Sequence, residues 1–135
     1  MNSEKEEEYK KKLSKEEFEV LREKATEKPF TGKLLYNKKT GAYNCKACGN
    51  KVFLSETKFD SGCGWPSFFE ANSGSVELRE DNSFGRNRIE VVCKKCKSHL
   101  GHVFDDGPKP SGKRYCINSI SLDFKKKDLK KRANN

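Results

Sequence analysis

Long hydrophobic runs are missing from this 135-residue sequence, and only 33% of its residues are hydrophobic. No stretch approaches the roughly 20 apolar residues that a membrane-spanning helix needs. The N-terminal residues mix Lys and Glu, without the apolar segment that a secretory signal peptide carries. We therefore expect a cytoplasmic protein with no membrane partner. In that reducing compartment, six cysteines are better explained as metal ligands or redox-active thiols than as structural disulfides.

Acidic residues are also outnumbered, and the formal net charge is +9. More than half of this excess lies in residues 125–135, which contain six Lys or Arg and one Asp. We expect this basic tail and a charged, disordered tail over residues 1–12 to flank a single domain over residues 13–124. No stretch interleaves basic and aromatic residues, so nucleic-acid binding is not predicted. A basic zinc ribbon that binds nucleic acid remains the alternative that the charge alone would favour.

Helical periodicity is confined to the first third of the domain. Ser14 and Glu17 have the spacing of a capping box, and Phe18 and Leu21 continue at helical intervals, which predicts a helix over residues 15–25. From residue 36 onward, short β-type segments are separated by turn residues. The strand candidates are residues 42–45, 52–54, 75–80, 88–92, 102–105 and 114–124. This pattern predicts a mainly β, antiparallel domain with one short N-terminal helix.

Four of the six cysteines form two Cys-x-x-Cys pairs, Cys45 with Cys48 and Cys93 with Cys96. Two such pairs complete a tetrahedral four-thiolate site, and thiolates in that number favour one Zn²⁺, with iron as the lesser option. Gly49 follows the first pair and allows a tight backbone turn around the sulfurs. A site with four protein ligands has no open position, so we predict a structural zinc rather than a catalytic one. A thioredoxin-like redox pair is the alternative for either unit.

The stretch 114–124 contains the cysteine with the most reactive setting. In a strand, side chains alternate between faces, so Arg114, Cys116 and Asn118 would share one face. A cation and an amide beside a thiol favour the nucleophilic thiolate. Apolar residues at the next alternate positions would carry this face into the core: Ile120, Leu122 and Phe124. Cys116 is thus a candidate nucleophile, although a buried structural cysteine would fit the same pattern.

The remaining candidates lie in the loop around residue 63 and in residues 99–102, which lead into the strand candidate 102–105. Cys63 is flanked by glycines, so its loop can bring it close to a second sulfur, as expected for a thiol that resolves a sulfenic acid. Trp65 in the same loop could form the wall of a pocket, or simply be core. His99 and His102 are the only histidines and are suited to proton transfer near neutral pH. The two aspartates after Phe104 are expected to form a turn.

At these residues the sequence resembles the methionine-R-sulfoxide reductases of the MsrB type. The matching segments are residues 26–30 (TEKPF), 45–49 (CKACG), 58–68 (KFDSGCGWPSF), 93–96 (CKKC), 99–108 (HLGHVFDDGP) and 114–119 (RYCINS). The resemblance covers nearly the whole domain. It implies two antiparallel sheets bound by a four-cysteine zinc, and reduction of methionine-R-sulfoxide, mainly in oxidised proteins, with thioredoxin as the reductant.

The resemblance also implies a role for each candidate. Cys116 is the nucleophile, Cys63 the resolving thiol, and His102 serves the sulfoxide oxygen. Trp65 walls the pocket of the substrate methyl group. Asn118 joins the catalytic group, and the expected substrate-supporting residues are His99, Phe104 and Arg114. We expect a monomer that repairs oxidised proteins. The main rival is a zinc-clipped binding module without catalysis, which would not need both remaining cysteines and both histidines.

Overall fold

The computed structural model describes residues 3–127, with side chains from residue 6 onward. The predicted helix is present as α2, Lys15–Glu23. Its capping box is confirmed, because the Ser14 hydroxyl accepts from the Glu17 amide at 3.1 Å and the Glu17 carboxylate accepts from the Ser14 amide at 2.8 Å. The helix ends earlier than predicted because Lys24 adopts a left-handed conformation, with φ of 62°.

The prediction of disorder is wrong for residues 3–12, because Ser3–Lys12 forms helix α1, and residues 1 and 2 lie outside the described chain. This charged helix has specific partners for its side chains. Glu6 accepts hydrogen bonds from Arg22 of α2, whose guanidinium also lies 4.8 Å from the centre of the Tyr9 ring. Lys12 donates to the carbonyl of Ala47. Within residues 3–127, neither helix is long and apolar enough to cross a bilayer.

Within the same residues, nine strands form two antiparallel sheets, as predicted. Their bounds are β1 Gly41–Cys45, β2 Lys51–Leu54, β3 Lys58–Phe59, β4 Ser67–Phe68, β5 Val76–Asp81, β6 Arg88–Cys93, β7 His99–Phe104, β8 Arg114–Ile117 and β9 Leu122–Lys126. The smaller sheet has the order β2-β1-β9 and the larger sheet β3-β4-β8-β7-β6-β5. The two short strands β3 and β4 were not predicted. β9 includes the first two residues of the expected basic tail, and residues 128–135 lie outside the described chain.

The prediction of one strand over residues 114–124 is also wrong. A 3-10 helix, Ser119–Ser121, separates β8 from β9 and moves the chain from the larger sheet to the smaller one. The turn is held by the Glu27 carboxylate, which accepts the backbone N–H groups of Ser119 and Ile120, each at 2.9 Å. The apolar residues after Asn118 therefore do not continue the face that carries Cys116.

The core lies between the two sheets, and aromatic side chains fill it. Phe53 of the smaller sheet stacks on Phe68 at 4.4 Å between ring centres and meets Tyr115 edge-on at 5.6 Å. Tyr43 contacts Phe68 at 5.1 Å. Because side chains alternate along β8, Tyr115 and Ile117 face this core and Cys116 faces away from it. The opposite face of the larger sheet is therefore the one that carries the polar candidates.

Candidate active site and metal centre

A row of polar residues crosses the larger sheet on the face away from the core. The strand register places Ser67, Cys116, His102 and Glu90 side by side on β4, β8, β7 and β6. Directly opposed residues in an antiparallel pair project to the same face, with Cβ atoms about 5 Å apart. The candidate nucleophile and the candidate proton donor are therefore neighbours across one strand pair.

The loop before β4 brings Cys63 to this row. The sulfurs of Cys63 and Cys116 lie 2.8 Å apart, and Cys63 also lies 3.4 Å from the Ser67 hydroxyl. Gly62 and Gly64 have φ angles of 75° and 98°, a conformation that side chains with a Cβ adopt only under strain. The sequence thus correctly predicted that glycines let Cys63 approach a second sulfur.

The two thiols share a proton, and this changes their ionisation. The pKa of Cys63 is lowered to about 4, first because its sulfur accepts a hydrogen bond from Cys116, with help from the hydroxyls of Ser61 and Ser67. The same hydrogen bond, and then burial, raise the pKa of Cys116, against the influence of Arg114. These two shifts favour the negative charge of the pair on Cys63, whereas the sequence predicted a thiolate on Cys116.

Arg114 lies beside the pair, as its shared face with Cys116 predicted. Its Nη1 donates to the Cys116 sulfur at 3.3 Å. Two further nitrogens donate to the Asp106 carboxylate at 2.8 and 3.1 Å, and the guanidinium lies 4.5 Å from the Phe104 ring centre. The ion pair with Asp106 raises the pKa of Arg114, which keeps a full positive charge next to the thiols. Asp106, expected only as a turn residue, thus orients a site residue.

Each histidine is paired with a carboxylate that sequence patterns did not single out. His102 Nε2 lies 2.7 Å from Asp81, and His99 Nδ1 lies 2.7 Å from Glu90. The rings are 5.5 Å apart, edge to face. The ammonium of Lys24 lies 3.5 Å from Asp81 and 3.3 Å from Glu90, so it bridges both carboxylates. In the sequence these acids look like ordinary strand charges, because pairing across strands leaves no local signal.

Asn118, expected on the face of Cys116, makes its side-chain hydrogen bonds to backbone groups. Its side chain is buried, donates to the Leu100 carbonyl at 3.1 Å, and accepts from the Glu27 amide at 3.0 Å. The carboxamide is thus directed to backbone groups rather than to the Cys116 sulfur. It connects the end of β8 to β7 and to the loop that follows α2.

Glu27 links this loop to the site, and sequence reasoning missed it. Its backbone carbonyl accepts the indole N–H of Trp65 at 3.0 Å, which fixes the half-buried ring beside the Cys63 loop. Its carboxylate holds the 3-10 helix after Asn118. Burial raises the pKa of Glu27, against the opposing effect of these two hydrogen bonds. Glu27 lies in the matching segment 26–30, but its role depends on distant partners and was not predicted.

The four paired cysteines meet, as predicted, at the edge between the two sheets. Their sulfurs all lie within 4.8 Å of one another, with Cys45 to Cys96 and Cys48 to Cys93 both at 3.6 Å. Metal–sulfur bonds of about 2.3 Å in a tetrahedron would separate the sulfurs by roughly 3.8 Å. The donor set and its spacing therefore fit a tetrahedral metal ion.

The loops that carry the two Cys-x-x-Cys pairs are tight turns of the same kind. The amide of Gly49 donates to the carbonyl of Cys45 at 2.8 Å, and the amide of Lys97 donates to the carbonyl of Cys93 at 2.7 Å. Their φ angles are 82° and 64°, which confirms the tight turn predicted at Gly49. Arg22 of α2 donates to the carbonyl of Cys96 at 2.7 Å. The helix and the metal site thus stabilise each other.

Comparison with known proteins gives one consistent result. Residues 13–126 match the family model of the SelR domain. The chain is 62% identical over 121 residues to a protein of Methanosarcina barkeri, across 89% of this chain and 85% of that protein. It is 54% identical to a protein of Alteromonas mediterranea, across 91% and 87% of the two chains, and 52% identical to one of Leptospira interrogans, across 89% and 92%. All three carry the name "Peptide methionine sulfoxide reductase MsrB".

Proposed function

The chain belongs to the MsrB-type peptide methionine sulfoxide reductases, oxidoreductases that act on the R epimer, and we propose that Cys116, Cys63 and His102 carry out its reaction. The observation that carries this proposal is the 2.8 Å contact between the two sulfurs, on the sheet face where His102 lies opposite Cys116. A non-catalytic zinc module has no need for such a contact. The proposal assigns each step of the reduction to a side chain of this chain.

The first step is attack of the Cys116 sulfur on the sulfoxide sulfur. At rest Cys116 holds the shared proton, so the Cys63 thiolate accepts it as Cys116 attacks. The guanidinium of Arg114, 3.3 Å away, stabilises negative charge on the attacking sulfur. This division of roles explains why a low pKa on Cys63 is compatible with Cys116 as the nucleophile.

The second feature of the step is proton delivery to oxygen. The sulfoxide oxygen gains negative charge as the new sulfur–sulfur interaction forms, and a protonated His102 donates to it. The hydroxyl oxygen then passes to Cys116: a new S–O bond forms at the Cys116 sulfur while the S–O bond to the methionine sulfur and the sulfur–sulfur interaction break, which releases the thioether. Cys116 leaves the step as a sulfenic acid, Cys63 as a thiol and His102 as a neutral ring. Atoms and charges balance without any other reactant.

The enzyme is then regenerated through a disulfide. The Cys63 sulfur attacks the sulfenic sulfur of Cys116 and displaces water. The sulfurs need to approach only from 2.8 Å to a bond length of about 2.0 Å. Cys63 lies in a loop with exposed Gly62, so an external dithiol can reach the resulting disulfide. We infer that thioredoxin is this reductant, through thiol–disulfide exchange.

Aromatic and charged groups around the pair would form the substrate pocket. The Trp65 ring, held by Glu27, offers an apolar wall for the methyl group, and Phe104 lies behind Arg114. His99, fixed by Glu90, supports His102 from the side. Asn118 supports the site indirectly, by holding β8 to its neighbours. A pocket with a fixed wall, donor and nucleophile accepts only one epimer, because the sulfoxide sulfur is chiral.

We further propose that the four-cysteine site holds one structural Zn²⁺. When bound, the ion would cross-link the β1–β2 loop to the β6–β7 loop and add folding free energy on the order of 10 kcal/mol. No step of the reaction needs it, since all four ligands are protein sulfurs. We also propose that the enzyme works as a monomer on protein-bound substrate in the cytoplasm, where it repairs oxidised proteins. All the site residues come from one chain, and a reducing compartment supplies the dithiol.

A stereospecific assay tests the function. The zinc-loaded protein is given a peptide containing either epimer of methionine sulfoxide, with reduced thioredoxin present or absent. We expect turnover of the R epimer only, and release of one methionine per chain without reductant. Cys116→Ser should abolish both reactions, and measurable reduction by this variant would overturn the assignment of the nucleophile.

A second variant separates chemistry from recycling. Cys63→Ser should still release one methionine per chain, more slowly because the proton acceptor is lost. It should then stall with thioredoxin, and mass spectrometry should detect the sulfenic acid on Cys116. Steady turnover of Cys63→Ser at the parent rate with thioredoxin would show that recycling does not use this disulfide.

A further inference from the structure

Asp81 is a buried acid on the sheet face that carries the candidate site, and both of its oxygens have polar partners. Its side chain is 2% exposed at the end of β5. One oxygen lies 2.7 Å from Nε2 of His102, and the other accepts the amide and the hydroxyl of Ser83 at 3.1 and 2.7 Å. The cations of Lys24 and Arg88 each lie 3.5 Å away. The Ser83 hydroxyl, followed by His102, holds the pKa of Asp81 far below its usual range, so the group stays a carboxylate.

An ionised carboxylate fixes the tautomer of its histidine. It can only accept hydrogen bonds, so the short contact requires a proton on Nε2 of His102. A neutral ring with a proton on Nε2 has a bare lone pair on Nδ1, which accepts but cannot donate. Among the described residues, no hydrogen bond uses Nδ1, so this nitrogen is the one left for the site. His102 can therefore donate a proton there only when both ring nitrogens are protonated.

We propose that Asp81 is a positioning residue of the reaction, which holds Nε2–H of His102 so that Nδ1 delivers the proton to the sulfoxide oxygen from the imidazolium form. This inference rests on the proposed role of His102. In the step, the Nδ1–H bond breaks as the O–H bond forms, and the ring remains neutral with its Nε2 proton still on the Asp81 side. Solvent then restores the Nδ1 proton.

The charge of Asp81 is needed because the other groups around His102 disfavour its protonated form. Burial, and then the cation of Arg88 on β6 and the His99 ring on β7, lower the pKa of His102, and Asp81 opposes them. Lys24 at the end of α2 adds a cation near both carboxylates, Glu90 is the partner of His99, and the thiol of Cys116 on β8 lies opposite His102. On the proposed mechanism, methionine release slows as the pH rises through the pKa of His102. Removal of the Asp81 charge lowers that pKa and shifts the decline to lower pH.

The test compares variants of the zinc-loaded full chain in single-turnover release of methionine from an R-sulfoxide peptide, between pH 5.5 and 9. In Asp81→Asn we expect the decline to move down by at least about one pH unit, which makes release roughly tenfold slower at a pH above both midpoints. Glu80→Gln is the matched control. It removes the adjacent carboxylate of β5, which is exposed, and should leave the profile unchanged.

Nitrogen NMR of the parent protein adds a measurement that does not depend on whether a variant folds. The neutral His102 ring should show its proton on Nε2. A proton on Nδ1, or a folded Asp81→Asn protein whose profile overlays the parent, would overturn the role of Asp81. His102→Gln distinguishes this from failure of the proposed function. If His102→Gln loses at least tenfold in rate while Asp81→Asn does not, only the role of Asp81 is wrong. If His102→Gln releases methionine at the parent rate, the assignment of His102 as the proton donor is itself wrong.

Discussion

Gly101 offers a sharp test of how tightly the two site strands must pack. It lies on β7 opposite Ile117 of β8, one residue before His102. A Cβ atom added at this position would lie 2.1 Å from the carbonyl oxygen of Cys116 and 2.9 Å from Cα of Ile117. Both obstacles are backbone atoms, so no side-chain rotation relieves the clash. Gly101→Ala must therefore push β7 and β8 apart beside the nucleophile.

The magnitude follows from these distances. The added Cβ must move by about 0.9 Å to reach 3.0 Å, the shortest contact that real Cβ atoms show. The hydrogen bond from the Asn118 amide to the Leu100 carbonyl, 2.9 Å long, would break under that displacement. Two or three broken hydrogen bonds at about 1 kcal/mol each, plus lost packing, give a destabilisation of about 3 kcal/mol. For a chain of this size the melting temperature should fall by roughly 10 °C.

Activity should fall as well, because His102 and Cys116 lie on the two strands that separate. A displacement of about 1 Å at a reacting centre can cost on the order of 100-fold in rate. Thermal unfolding followed by circular dichroism and single-turnover methionine release at 15 °C measure the two effects. Gly85→Ala is the matched control, since nothing lies near its added Cβ and only its φ of 70° is unfavourable. It should cost about 1 kcal/mol and keep full activity.

The reasoning fails if Gly101→Ala melts within 2–3 °C of the parent, or about as the Gly85→Ala control does. Such a result would mean that β7 and β8 can separate at little cost. Normal activity with a lowered melting temperature would show that the spacing of His102 and Cys116 does not govern the rate.

Further predictions concern the metal, the loop after α2 and the thiol pair. Cys45→Ala, or chelation of the parent protein, should remove one Zn²⁺ per chain, as measured by metal analysis, and should lower the melting temperature sharply. An unchanged melting temperature would exclude a structural metal. Glu27→Ala leaves two backbone N–H groups without their charged acceptor, so urea unfolding should show a loss of about 3 kcal/mol; a parent-like free energy of unfolding would refute the role of the Glu27 carboxylate. Because the pKa of Cys63 is lowered to about 4, the pair with Cys116 stays negatively charged as the pH falls to 6, and iodoacetamide should still modify it there; modification confined to pH above 8 would contradict the shared proton.

Features with a local cause were predictable from the sequence. The capping box of α2 involves Ser14 and Glu17, three residues apart, and it forms as predicted. The turn at Gly49 depends on the missing Cβ of one residue. The period-2 pattern around Cys116 correctly placed Arg114 on the same face, because alternation is a property of any strand.

Features that depend on distant partners were not predictable. The strand predicted over residues 114–124 is broken because Glu27, more than ninety residues earlier, accepts the amides of Ser119 and Ile120. Helix α1 forms where the composition favoured disorder, because its side chains form hydrogen bonds with Arg22 and with the carbonyl of Ala47. No sequence pattern distinguishes Asp81 and Glu90 from other acidic residues. The sheet register places them beside His102 and His99.

The sequence by itself determined which atoms are available for chemistry: four sulfurs in two chelating pairs, two sulfurs outside them, and two imidazoles. Spacing fixes these sets because a Cys-x-x-Cys unit brings its own ligands together within one turn. Only the tertiary structure decided the state of those atoms. The proton shared by Cys63 and Cys116 and the tautomer of His102 depend on contacts of 2.7 to 2.8 Å between different strands and loops, and such contacts exist only when the larger sheet is assembled.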